Sequence, residues 1–136
     1  LFLLSLLFIS IGAAPTETNP LIEKVQEFLK VEQPKTNEDN IRVNCYMVFC
    51  RFEDKDGCRN ECSAFAKLQN PEYRVDKSIY TEPKTQEECA KRSAAVLVKG
   101  KESDRVSSRI CAAYFSYPDR VEYLKQLAEA FKVTYY

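Results

Sequence analysis

The sequence contains no histidine and no tryptophan among its 136 residues. Without an imidazole there can be no Ser-His-Asp triad, no Cys-His pair, no histidine acid–base pair and no zinc site with imidazole ligands. A pair of carboxylates could still support a glycosidase, but the 20 acidic residues make chance pairs inevitable. Tryptophan, a frequent sugar-stacking side chain, is missing as well. We therefore expect a protein that is not an enzyme, and a small carboxylate-dependent hydrolase stays as one alternative.

The sequence also lacks an excess of either charge, because 20 Lys and Arg balance 20 Asp and Glu. A neutral chain has no electrostatic field that would steer it onto nucleic acid or an anionic membrane. The most basic stretch, residues 99–109, also carries Glu102 and Asp104 and is typical of a solvated loop. No nucleic-acid partner is expected.

The chain begins with LFLLSLLFISIGAAP, an uncharged apolar run that gives way to small residues. This pattern is typical of the apolar core and cleavage region of a secretory signal peptide, so we expect residues 1–13 to be a signal with its start truncated, cleaved after Gly12 or Ala13. A spanning helix needs about 20 apolar residues, and no later segment is as apolar, so no stable membrane insertion is expected. The mature chain is then predicted to be secreted and extracellular.

Six cysteines, four of them within CYMVFCRFEDKDGCRNEC, predict covalent staples. In an oxidising compartment, an even number of cysteines in a small domain favours disulfides. Zinc ligation would need closely repeated pairs, and a calcium loop centred on Gly57 would place Phe52 and Ser63 where oxygen ligands are required. We expect three disulfides and neither metal nor cofactor. The disulfide residues are Cys45, Cys50, Cys58, Cys62, Cys89 and Cys111.

The spacing of the cysteines restricts their pairing. Cys58 and Cys62 lie four residues apart in a helical pattern, so both sulfurs face one neighbour and we expect them to bond to different partners. That neighbour is predicted to be residues 41–54, where apolar residues alternate as in a strand. We favour Cys89 with Cys111 as a further pair. The sequence does not determine how the other four cysteines pair.

Short strand patterns that alternate with helical ones predict an α+β domain with a small, mainly antiparallel sheet of about three strands. The strands are expected at residues 43–52, 74–80 and 109–116. The helices that cover this sheet are expected near residues 58–69, 86–98 and 119–131.

A separate amphipathic helix and a polar linker are predicted for residues 14–40. Asn19 and Pro20 supply an N-cap and a first-turn proline, and apolar residues from Leu21 to Leu29 share one face. The following VEQPKTNEDN is typical of a linker. The cysteine-stapled domain is then expected at residues 41–136, with the helix either packed onto it or held as a propeptide.

By elimination, we expect a non-enzymatic binding or effector protein that recognises an extracellular macromolecule by surface complementarity, since a disulfide-rigid scaffold loses less entropy on binding. The alternative is a carrier of a small apolar ligand, which eight Phe and eight Tyr would suit, although a packed core uses the same residues. Tyrosines gather toward the C-terminus, and tyrosine favours contact surfaces. The candidate contact residues are Tyr114, Tyr117, Tyr135 and Tyr136.

Overall fold

The computed structural model describes residues 19–68, 83–94 and 101–135, and every regular element within these ranges is helical. The helices are α1 (Pro20–Glu32), α2 (Asn37–Val48), α3 (Cys58–Lys67), α4 (Gln86–Ala94), α5 (Lys101–Phe115) and α6 (Arg120–Tyr135). A 3-10 turn, Lys55–Gly57, leads into α3. The prediction of an α+β domain with a three-stranded sheet is therefore wrong, because the described part of the chain forms an all-helical fold with disulfides.

The first predicted strand, residues 43–52, lies in α2 and the turn that follows it. Nearly every side chain from Ile41 to Cys50 is buried, so the polar positions that reveal a helical period are missing here. The start of α2 is nevertheless encoded: Thr36 Oγ1 accepts from Asp39 N, and Asp39 Oδ2 accepts from Thr36 N, which is a capping box. The prediction of a linker for residues 31–40 is wrong where α2 begins with this capping box.

The third predicted strand, residues 109–116, lies in α5 and just beyond it. Val106, Ile110 and Tyr114 are buried at a spacing of four, while Ala112 and Ala113 are exposed. Because alanine counts as apolar, this segment reads as a strand with two apolar faces. As a helix it has one buried face, and the alanines lie on the solvent side. The second predicted strand, residues 74–80, falls outside the described residues.

The predicted N-terminal helix is confirmed as α1. Asn19 Oδ1 accepts from Leu21 N at 2.9 Å, and Pro20 occupies the first turn. Leu21 and Val25 are buried, and α1 packs along α6, where Asn19 Nδ2 donates to Gln126 O at 3.2 Å. The helix is thus part of the hydrophobic core. The predicted signal peptide, residues 1–13, lies outside the described residues.

The other predicted helices are found at or close to their expected positions. The helix predicted at 58–69 is α3, and the one predicted at 119–131 is α6. The helix predicted at 86–98 begins as α4, where Thr85 Oγ1 accepts from Glu88 N at 3.0 Å. Residues 95–98 lie beyond the described part of α4. None of the helices described here is long and apolar enough to cross a bilayer.

The described helices pack in three pairs, and disulfides reinforce two of them. α1 lies against α6, α2 against α3, and α4 against α5, while α3 also contacts α5. Cys45–Cys62 and Cys50–Cys58 join the α2 region to α3, and Cys89–Cys111 joins α4 to α5 as predicted. Cys58 and Cys62 have different partners, which confirms that prediction too. The largest fully buried side chains are those of Tyr114, Met47, Ile110, Leu127 and Val25.

Candidate functional site

The segment between α2 and α3 is closed by the Cys50–Cys58 disulfide, and we call it the Cys50–Cys58 loop. Its backbone is unusual, because Arg51, Phe52 and Asp56 have φ angles of 56°, 62° and 54°. A residue with a side chain disfavours this left-handed backbone conformation, so the conformation persists only where the surrounding structure enforces it. Residues in such conformations are frequent at functional sites. Gly57, with φ 75°, completes the turn without that penalty.

The covalent and backbone bonds of the loop hold this conformation. Phe52 N donates to Tyr46 O at 3.2 Å, and Glu53 N donates to Cys50 O at 3.0 Å. The Cys45–Cys62 disulfide lies directly beneath and joins α2 to α3 a second time. Two crosslinks and local hydrogen bonds therefore fix one loop geometry before any partner binds.

Arg51 anchors one side of the loop to the turn between α5 and α6. Its guanidinium lies 4.6 Å from the ring centre of Tyr117 and 4.2 Å from that of Tyr123. Nη1 and Nη2 donate to the two carboxylate oxygens of Asp119 at 2.6 and 3.0 Å. Bidentate pairing combined with aromatic stacking is a geometry that arginine, and not lysine, provides.

The electrostatic effects of this anchor follow from its geometry. The hydrogen bonds from Arg51 lower the pKa of Asp119 below its ordinary value of 3.8. Burial raises the pKa of Tyr123, whose hydroxyl donates to the backbone oxygen of Met47. Burial and the neighbouring carboxylate of Glu53 raise the pKa of Tyr117. Both tyrosines therefore stay neutral beside the charged guanidinium at physiological pH.

Phe52 anchors the other side of the loop through an aromatic cluster. Its ring centre lies 5.4 Å from that of Phe28 in α1 and 6.0 Å from that of Tyr46 in α2. The guanidinium of Arg59 lies 5.2 Å from the Tyr46 ring, and its Nη2 donates to Glu32 at 2.5 Å. Arg51 and Phe52, which are adjacent in the loop, thus pack against different sides of the molecule. These opposing contacts account for the successive positive φ angles.

The tip of the loop is exposed and charged. Glu53, Asp54, Lys55 and Asp56 all face solvent. Asp54 Oδ1 accepts from Arg59 N in the first turn of α3 at 3.0 Å. The remaining three charged groups project from a fixed backbone, an arrangement suited to recognition of a complementary surface.

Three surface depressions in the described part of the chain border this loop. The α5 cleft, of about 330 Å³, lies between the loop tip and α5, with Glu53, Lys55 and Asp56 on one wall. The α1–α6 cleft, of about 260 Å³, has Arg51, Phe52 and Glu53 along one side. The Phe28 patch, of about 490 Å³, is a shallow apolar area in which Phe52 meets Phe28 and Val31. Glu53 separates the first two depressions.

The tyrosines predicted to form a contact surface differ in where the structure places them. Tyr114 is fully buried in the core, with its ring 5.5 Å from that of Phe49, so it cannot contribute to a contact surface. Tyr117 is half-buried and lines the α5 cleft. The side chain of Tyr135 and all of Tyr136 lie outside the described residues. Of the two whose side chains the structure describes, Tyr117 is the one brought to the candidate site.

The residues that build the site were missed in the sequence. Arg51 and Phe52 end the segment predicted as a strand, residues 43–52, and Glu53 follows it. A strand pattern gives no reason to expect positive φ. One available signal was the short spacing between Cys50 and Cys58, because a disulfide across it closes a tight loop in which the backbone has to turn. The Asp-Gly pair near its end is typical of a turn, and both residues have positive φ.

The groups at the site that could bind a metal or transfer a proton are the sulfurs beneath the loop and the carboxylates of the α5 cleft. The Sγ atoms of Cys50, Cys58 and Cys62 lie within 4.8 Å of one another, but each belongs to a disulfide and none offers a thiolate to a metal. The carboxylates of the α5 cleft are Glu53 and Asp56, both exposed, and Glu61, which pairs with Arg109 at 2.7 Å. Among the residues described, the buried polar side chains are Asn44 and Ser107.

Replacing Asp119 with asparagine is expected to destabilise the protein near neutral pH and to have no effect in strong acid. The lowered pKa of Asp119 means that its carboxylate stabilises the folded state above the unfolded pKa, and this contribution is lost as the pH falls through the folded pKa, below 3.8. Urea unfolding of both proteins at about pH 6 and about pH 2 measures the difference. In an Arg51→Gln background the pH dependence should vanish, and an equal effect at both pH values would contradict the anchor.

Comparison of the chain with family models, with curated proteins and with solved structures finds no match. Function is therefore inferred from the geometry of the chain itself.

Proposed function

We propose that the mature chain is an extracellular, non-enzymatic binding protein that recognises a macromolecular partner through the Cys50–Cys58 loop. The observation that carries this proposal is the strained, doubly crosslinked backbone of Arg51, Phe52 and Asp56, around which three surface depressions meet. A loop held in one conformation does not lose its backbone entropy again on binding. The three disulfides support a location outside the reducing cytosol.

The proposed contact surface has the mixture of groups that protein interfaces use. Tyr117 and Phe52 offer aromatic area on either side of the loop, and the tip offers Glu53, Lys55 and Asp56 as charged groups of both signs. Aromatic residues supply binding free energy at the centre of an interface, whereas charged groups supply orientation and association rate. A macromolecule that covers the loop would contact both kinds of group.

The two alternatives find less support in the same residues. A carrier encloses its ligand, whereas the α5 cleft and the Phe28 patch are open to solvent, and the former has charged walls. A carboxylate-dependent hydrolase needs an acid whose pKa is raised by burial, whereas Glu53 and Asp56 are exposed and Glu61 is ion-paired. Recognition of a macromolecule is therefore the function that these groups favour.

The test is a capture experiment on extracellular fluid from the source organism, with a variant in which two tip charges are exchanged, Glu53→Lys with Lys55→Glu. Because net charge is unchanged, non-specific electrostatics are held constant. We expect the native protein to retain a specific partner and the loop variant to retain at least about tenfold less, which corresponds to about 1.4 kcal/mol.

The matched control exchanges two exposed charges on α6, Glu129→Lys with Lys132→Glu, far along the chain from the loop. It should capture the partner as the native protein does. Equal capture by the loop variant and the native protein would contradict recognition through the loop. A bound small apolar molecule, extracted from the native protein and found in stoichiometric amount by mass spectrometry, would favour the carrier.

A further inference from the structure

Two disulfides lie in contact beneath the Cys50–Cys58 loop. Sγ of Cys50 is 3.4 Å from Sγ of Cys62, although each is bonded to another cysteine. The Sγ atom of Cys58 completes a group in which all three sulfurs lie within 4.8 Å. Thiol–disulfide exchange proceeds by attack of a thiolate on a neighbouring disulfide sulfur. Cys50 therefore already stands beside a second sulfur that it could attack once its own disulfide is opened.

The four cysteine residues differ in their exposure to solvent. Cys58 is 9% exposed, whereas Cys50 is 1% exposed and Cys45 and Cys62 are fully buried. An external thiolate therefore reaches the pair at Cys58, and attack there releases Cys50 as the leaving thiolate. The sulfur that is released is the one in contact with Cys62.

We propose that Cys50–Cys58 and Cys45–Cys62 form a thiol–disulfide exchange site, in which opening of the Cys50–Cys58 loop by a dithiol moves the inner disulfide to Cys50–Cys62. The dithiol first forms a mixed disulfide with Cys58 and frees the Cys50 thiolate. Cys50 then attacks Cys62, the Cys45–Cys62 bond breaks, and Cys45 leaves as a thiolate that takes up a proton. The second thiol of the dithiol releases Cys58 as a thiol, so one dithiol is oxidised and one protein disulfide is reduced.

This exchange would regulate the surface that we propose for recognition, and its biological consequence rests on that proposed function. Once Cys50 is bonded to Cys62, the crosslinked ring that contains Arg51 and Phe52 extends to residue 62, and Cys58 no longer closes it at the start of α3. The loop then adopts additional conformations, and a partner has to restrict them again on binding. Opening by a dithiol should therefore weaken partner capture.

The sharpest test places a single thiol at Cys50 with the variant Cys58→Ser. The purified protein is incubated at about pH 8, quenched with acid, unfolded and labelled with N-ethylmaleimide, and the label is located by peptide mass spectrometry. Exchange predicts label on Cys45 as well as on Cys50, together with a Cys50–Cys62 linked peptide. Label confined to Cys50 would overturn the proposal.

The matched control is Cys111→Ser, which leaves Cys89 as the single thiol at a disulfide that is not part of the three-sulfur group. Its label should stay on Cys89 alone. Label that spreads to other cysteines in this control would also overturn the proposal, because scrambling would then be general.

The native protein provides a second measurement if Cys58→Ser does not fold. After treatment with about one equivalent of dithiothreitol, exchange predicts a species labelled at Cys45 and Cys58. A species labelled at Cys50 and Cys58, or the absence of any species with two labels, would overturn the proposal. The label map does not depend on partner capture, so failure of the recognition proposal and failure of the exchange can be told apart.

Discussion

Replacing Tyr114 with alanine is expected to lower the free energy of unfolding by about 3–5 kcal/mol, because truncation of a large buried ring leaves a cavity. Tyr114 is 0% exposed, and its ring lies 5.5 Å from that of Phe49 and 5.4 Å from that of Phe115. A loss of this size is a large part of the stability of a small domain. Guanidinium unfolding, followed by circular dichroism, gives the difference directly.

The control for this substitution is Val133→Ala. Val133 is 55% exposed on α6, so its truncation should change the free energy of unfolding by less than about 0.5 kcal/mol. If Tyr114→Ala cost as little as this control and instead weakened partner capture, Tyr114 would belong to the contact surface and its place in the core would be wrong.

Removing the inner disulfide with the paired substitution Cys45→Ala and Cys62→Ala is expected to lower the free energy of unfolding by about 3 kcal/mol. The bond closes a loop with a sequence separation of 17, and its loss returns conformational freedom to the unfolded chain. Both sulfurs are also fully buried, so their removal leaves space between α2 and α3. Denaturant unfolding without reductant measures the change.

The matched control is the paired substitution Cys89→Ala and Cys111→Ala, which opens a loop with a sequence separation of 22. Because the entropy of loop closure grows only with the logarithm of length, its cost should also be about 3 kcal/mol. The two variants should differ in partner capture, since only Cys45–Cys62 underlies the Cys50–Cys58 loop. A loss below about 1 kcal/mol in the first variant would show that this bond does not restrict the unfolded chain as expected.

Local sequence signals predicted those parts of the fold in which a cap or an amphipathic stripe is visible. Asn19 with Pro20 marked α1, and the spacing of Cys58 and Cys62 marked the face of α3 that carries the disulfides. In each case polar residues separate the apolar ones, so the helical period can be recognised. These predictions depended on neighbours in the sequence alone.

Strands were predicted in segments where burial in the tertiary structure hides the helical period of the apolar residues. α2 is buried along most of its length, so an alternation of apolar residues such as Val43, Cys45 and Met47 could be taken for a strand. In α5 the exposed Ala112 and Ala113 count as apolar although they face solvent. Burial on several sides is set by the packing of distant helices and not by local preference.

The site was less predictable than the fold, for a related reason. Arg51 contacts Tyr117, Asp119 and Tyr123, and Phe52 contacts Phe28 in α1. The two residues come together with these partners only after the helices have packed. The positive φ angles of the loop likewise result from these opposing contacts, and neither arginine nor phenylalanine favours such an angle by itself.

The most direct test of recognition through the Cys50–Cys58 loop is amide hydrogen exchange of the mature protein, alone and bound to its captured partner. We predict that binding slows exchange of the amides at residues 51–58 and of those along the α5 cleft near residues 112–117, while the solvent face of α6 around Glu129 is unchanged. Slowed exchange on α6 with no change at residues 51–58 would contradict recognition through the loop.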